Sequence, residues 1–305
     1  NAEVRERALD ALGRREKRQT LPEERARALQ EYAAGEIRSL YESLRASATL
    51  EKAYGGETSA ILTEAIEADN RNTQGRILKA IGLLTDRAAV RAITHKVRSS
   101  NARERADALE ALDSLGCREL TRDFLPTLDD QEPQAMLDLW RRFLSTEEPT
   151  VEQCLGWLSA HASVWLRAAL MFFIGENRLT SCDDNLLRGL QDPNGLVRET
   201  ALMALADQVN GQRPRGSFLG LAEPLRQDPS PRVRALVEAL TADPTERSVE
   251  MLSTMERILL MDSSTWLRKR CSGCWQPSAA ACGYSGDVWS SAIRCCSVVP
   301  SPGNG

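Results

Sequence analysis

One helix pattern is written repeatedly along this chain, and it restricts the fold more than any other feature. A cap residue is followed three positions on, in most copies, by an apolar residue, then by arginine, then by small and large apolar positions. Asn1 opens the first copy, with Val4, Arg5, Ala8, Leu9, Ala11 and Leu12. Asn101 opens another, with Arg105, Ala108, Leu109, Ala111 and Leu112 at the same offsets. Ser163 starts a third (Leu166, Arg167, Leu170, Met171, Ile174) and Asn194 a fourth (Val197, Arg198, Ala201, Leu202, Ala204, Leu205). Ser230 leads a fifth through Val233, Arg234 and Val237, and a weaker copy starts at Asn72 with Arg76. Gln191-Asp192-Pro193 returns as Gln227-Asp228-Pro229 at a spacing of 36 residues. A fixed period of this length is the mark of stacked repeats.

Each copy carries its own start signal. Asn and Ser satisfy the orphan amides of a first helical turn, and Pro231 suits the position just after its cap. Asn101 with Glu104, and Thr150 with Gln153, have the spacing of capping boxes. Second helices are expected between the copies, over 86–98, 151–160 and 183–190, so the unit is a helix pair. A pair has more than one apolar side and buries it only against the next pair. The expected fold is therefore all-α, a solenoid of stacked antiparallel helix pairs with exposed and buried faces repeated together. Composition agrees: aromatics are only 5%, and Ala, Leu, Arg and Glu dominate residues 1–260, as in closely packed helices.

The pattern resembles HEAT repeats and the related lyase-type HEAT-like repeats, with Asp-Pro, Val-Arg and Ala-x-x-Ala-Leu; Gln191 to Leu205 is the nearest instance and the likeness covers about 56–245. Residues 1–18 then form a partial repeat and 19–55 a long helical linker, starting near Leu21-Pro22-Glu23-Glu24 and stopping at Gly55-Gly56. Residues 246–261 read as a further amphipathic linker helix.

The recurring arginines Arg5, Arg76, Arg105, Arg167, Arg198 and Arg234 hold one position on successive helices. They are expected to form a structural ladder, their forks bridging Asp192, Asp228 or carbonyls of the adjacent repeat. The competing reading is a basic groove for phosphorylated or acidic ligands, which requires unpaired, converging heads. His95 and His161 are the only histidines and lack metal-ligand neighbours, so no metal site, cofactor or catalytic residue is expected. The acidic doublets Asp129-Asp130 and Asp183-Asp184 read as caps and turns. Trp140, Trp157, Trp165, Phe172 and Phe173 are expected in the core, and Cys117, Cys154 and Cys182 as buried small hydrophobes in a reducing cytoplasm.

The net charge of −4 with interspersed signs argues against nucleic acid, and no apolar run reaches the roughly 18–20 residues of a membrane span. The chain opens on Asn1 with no secretion signal, and a missing preceding segment is expected. Residues 262–305 hold five cysteines, three tryptophans and no periodicity. Their Cys271-x-x-Cys274 does not complete a zinc ribbon, and this irregular or disordered tail has the composition of a shifted GC-rich reading frame.

Tyr32 to Leu50, Arg76 to Leu115 and the helix Leu252-Ser253-Thr254-Met255-Glu256-Arg257-Ile258-Leu259-Leu260 resemble bacterial proteins that join an ADP/ATP carrier-like membrane region, HEAT repeats and a cyclic nucleotide-binding domain. That resemblance implies regulatory coupling at the cytoplasmic face of a membrane, with cyclic nucleotide bound only by a domain missing here. The expected function is a non-catalytic scaffold for a protein partner or adjacent domains; a HEAT-like enzyme of the bilin lyase type is the alternative.

Overall fold

The computed structural model describes residues 2–15, 21–55, 59–128, 141–144, 147–161, 163–209 and 215–241. Among these every element is helical. The expected linker helix 246–261, the tail 262–305, Trp140 and Asp129-Asp130 lie outside the described residues. The chain divides into two compact units, Asn1–Ser163 and Val164–Gly305.

The first unit contains α1 (Ala2–Arg15), α2 (Glu23–Tyr54), α3 (Ala60–Leu84), α4 (Arg87–Lys96), α5 (Ala102–Asp113), α6 (Arg118–Phe124) and α7 (Val151–His161). α2 follows Pro22, has Glu23 and Glu24 in its first turn where the helix dipole favours acids, and ends at Gly55 with φ +28°. At 1.5 Å per residue it is roughly 48 Å long. It buries Leu29, Ala33, Ile37, Leu40, Tyr41 and Leu50 and packs on α3, α6 and α7. Ile37, Leu40, Ile77, Ile81, Val90, Ile93, Leu112 and Phe124 form the main core. Tyr41 stacks on Phe143 at 5.0 Å and donates its hydroxyl to the Asp123 carbonyl at 2.8 Å. Burial, with the Asp123 charge, pushes the Tyr41 hydroxyl up to about 12.

Asp86 caps α4 by accepting from the Ala88 and Ala89 amides, and Asn101 caps α5 through Arg103 and Glu104. Asn72, expected to open a repeat, lies instead in the middle of α3. No Asp-Pro or other breaker precedes it, and Thr73 donates back to the Asp69 carbonyl, so the helix runs straight through.

The second unit contains α8 (Val164–Glu176), α9 (Asp183–Leu190), α10 (Gly195–Val209), α11 (Arg215–Ala222) and α12 (Pro231–Thr241). α10 packs between α8 and α12, with α9 and α11 lying against the same row. The Asp183-Asp184 doublet occupies the first turn of α9. α8 is apolar around most of its circumference and buries Trp165, Leu166, Leu170, Met171, Phe173 and Ile174. Gly175 and Gly189 permit the close approach: a Cβ at Gly175 would sit 2.6 Å from the Ala204 Cβ, and one at Gly189 2.9 Å from the Ala201 Cβ.

The buried face is not repeated in every copy. Leu166, Val197 and Val233 are at most 1% exposed, but Val4, at the same offset in α1, is 62% exposed. α1 meets the rest of its unit through Leu9, which packs with Leu29, Ala33 and Ala80, so its Val4 side faces water. Cys154 and Cys182 are buried; Cys117, at the cap of α6, is half-exposed rather than buried, and is uncrosslinked like the other two.

Candidate functional site

The arginines of the second unit close a turn motif that occurs twice. Arg167 forks onto Asp192, with Nε to Oδ2 at 2.7 Å and Nη2 to Oδ1 at 3.1 Å. The Asp192 Oδ1 also accepts the Asn194 amide at 2.8 Å, and the Asp192 carbonyl accepts Arg198 Nη1 at 2.6 Å. Thirty-six residues on, Arg198 forks onto Asp228 with both bonds at 2.7 Å. The Asp228 Oδ1 accepts the Ser230 amide at 2.7 Å, and the Asp228 carbonyl accepts Arg234. Arg198 thus joins the turn before its own helix to the turn before the next, its guanidinium occupied by carboxylate and carbonyl, while Arg167 reaches the carboxylate of the next turn and Arg234 the carbonyls of its own.

Burial alone would raise the Asp228 carboxyl, but the bonds from Arg198 and the Ser230 amide, with the charges of Arg198 and Arg234, hold it below the usual carboxylate range. The Arg198 guanidinium is raised chiefly by its bond to Asp228.

The first unit carries a reduced form of the same turn. Arg105 Nη1 donates to the Ser99 carbonyl at 2.9 Å, six residues back as in Arg198 and Arg234, and the Ser99 hydroxyl accepts the Asn101 amide at 3.2 Å. Ser99 therefore stands where Asp192 and Asp228 stand, a correspondence the sequence hides because no Pro follows it. Arg76 turns elsewhere: its Nε meets the buried Glu36 carboxylate at 2.7 Å, which also takes Arg5 at 3.1 Å. Glu36 was missed in the sequence reading. Its signal is a carboxylate interrupting the buried stripe Leu29, Ala33, Ile37 and Leu40, where a charge needs a partner.

Asp69 lies close to this network. Its Oδ1 is buried and finds no hydrogen bond among the described residues. Burial raises its carboxyl against the lowering effects of Ser163, Arg76 and Arg5. A raised carboxyl contributes stability that is present below the unfolded value near 3.9 and is lost as pH rises through the folded value. Asp69→Asn is therefore expected to raise the urea midpoint at pH 7 and to gain little at pH 3; a lower midpoint at pH 7 would contradict this.

A cleft of about 300 Å³ opens in the first unit beside Glu42, Arg45, Glu147, Gln153, Cys154 and Trp157. Arg45 and Glu42 pair at 2.7 Å within it, and burial pushes the Cys154 thiol up, which disfavours the reactive thiolate. Trp165 and Phe173 are buried, whereas Trp157 and Phe172 are half-buried. His95 is exposed. Among the described residues no group of His, Cys, Asp and Glu gathers as metal ligands, and no helix is long and apolar enough to cross a membrane. Comparison of the chain with protein-family models, with curated proteins and with solved structures returned no match.

Proposed function

We propose that this chain is a non-catalytic scaffold of HEAT-type helix pairs, which holds a protein partner or an adjacent domain and couples its state to a neighbour. The recurrence of one clamp at Asp192 and Asp228, with the same Arg six residues on, supports this reading. Repeated pairs bound turn to turn make an extended, pre-organised surface, which suits recognition of another macromolecule. The likeness to transporter and sensor proteins makes interdomain coupling at the cytoplasmic face of a membrane the specific form of that role.

Cross-linking of the tagged chain in bacterial lysate, with and without cyclic nucleotides, tests it. A stoichiometric partner whose cross-links run along one face of successive helices supports the scaffold. Absence of a reproducible partner, or turnover of a tetrapyrrole by the purified chain, overturns it.

The repeat reading has its own test. Deletion of residues 194–229 removes one period and joins Pro193 to Ser230, so that Arg234 meets the Asp192 carbonyl. Residue 240 then replaces Ala204 against Gly175, and Leu240→Ala is included to fit. This chain is expected to keep a cooperative thermal transition and helical circular dichroism, whereas deletion of 194–211 breaks register and loses the transition.

A further inference from the structure

Residues 87–105 carry six cationic side chains and a single acid, Glu104, in a chain whose net charge is −4. The asymmetry has a structural form. α4 buries Val90 and Ile93, with Val97 just beyond its end. Arg87, Arg91, His95 and Arg98 follow at four-, four- and three-residue steps along another flank, whereas Lys96, 100° on from His95, projects from the far side of the helix. Glu104 does not neutralise this flank by a fork, since its carboxylate accepts the Ser99 hydroxyl at 2.7 Å. Arg98 is fixed by donating Nη2 to the Arg71 carbonyl at 2.8 Å. Burial and the charge of Arg71 both lower the Arg98 guanidinium, and Arg71 itself meets Glu67 of its own helix at 3.6 Å, a pair that stays about half open to water. Arg103 is exposed at the start of α5, beyond which Asp107 and Glu110 bound the stripe.

We propose that this flank of α4, with Arg71 and Arg103 at its end, is a docking stripe for an acidic helical segment of a protein partner. It rests on the scaffold reading and names the chemistry of the partner. The positions of the stripe, three of the four held by Arg, repeat about every 6 Å over roughly 17 Å, the interval at which Asp or Glu at i and i+4 recur on a facing helix. Range selects among anions. At physiological salt the Debye length is about 8 Å, so a short acidic helix senses the stripe alone. A DNA duplex or a bilayer spreads beyond it onto surface whose remaining charge is negative. α4 also presents only Ala88 and Ala92 as exposed apolar residues, which leaves nothing to anchor in lipid.

Fluorescence anisotropy with the full chain tests the stripe, using a labelled alanine-based helical peptide carrying Glu at i, i+4 and i+8. The Arg91→Glu/Arg103→Glu double variant is expected to weaken binding by about tenfold, Arg91→Lys to leave it nearly unchanged, and added salt to abolish it. Both positions are exposed; circular dichroism checks the fold, and Arg91→Ala with Arg103→Ala replaces the reversal if it fails to fold. Equal binding by wild type and double variant overturns the proposal, as does tighter binding of phosphatidylserine vesicles or duplex DNA. A cross-linked partner that the double variant retains unchanged overturns the stripe and leaves the scaffold standing; loss of all partners removes the scaffold, and the peptide titration still decides the stripe.

Discussion

Asp228→Ala is expected to lower stability by about 3–5 kcal/mol, read as a shift in the urea midpoint at unchanged slope. The Asp228 side chain is 3% exposed and its Arg198 partner 10%, so truncation leaves a guanidinium in the interior with its fork empty. It also removes the acceptor of the Ser230 amide at the start of α12. Arg198→Met/Asp228→Leu is expected to recover most of the loss, because it is the unpaired charge, more than the missing bridge, that is unfavourable. The pH dependence has a definite sign. The folded carboxyl is depressed, so its contribution is present above the unfolded value of about 3.9 and disappears as pH falls below it through the folded value. A wild-type and Asp228→Ala difference that persisted undiminished at the lowest pH would show that the clamp contributes through packing and not through charge.

Gly175→Ala is expected to destabilise by about 2–3 kcal/mol despite the better helix propensity of alanine. The added methyl would lie 2.6 Å from the Ala204 Cβ and 2.8 Å from its Cα, and the Cα cannot yield without moving α10 off α8. Ala204→Gly in the same chain removes the first of these contacts and is expected to restore part of the loss. A thermal midpoint for Gly175→Ala at or above wild type would mean that the two helices separate without penalty. By contrast Gly75 in α3, with open space at its Cβ position, is expected to accept alanine readily.

Helix starts were legible because cap chemistry is local. Thr150 and Gln153 exchange both bonds of a capping box, at 2.9 and 3.3 Å, and Asn194 and Asp86 accept the amides that their spacing implies. The box at Asn101 is only half formed: its amide and the Glu104 carboxylate both go to the Ser99 hydroxyl, a competitor that spacing does not weigh. Asn72 misled because its offset to Arg76 satisfies the pattern inside a helix that has no reason to stop. Which carboxylate meets which arginine was less accessible. Arg167 reaches 25 residues ahead to Asp192, and Arg76 reaches 40 back to Glu36. Those choices follow from how helices lie on one another, which no single helix encodes. The exposed Val4 makes the same point, since its text matches Val197 while its neighbours do not.

The length of α2 bears on how the chain reaches its native state. Tyr41 on this helix bonds to Asp123, 82 residues away, whereas the clamps of the second unit close over 25 and 30 residues. Loop-closure entropy makes the longer connection less favourable by roughly 0.9 kcal/mol relative to 30 residues, and folding slows as contacts become more distant along the chain. The second unit is thus built to zip from neighbour to neighbour. The first also closes over a longer stretch of chain, so its assembly is expected to be the slower of the two.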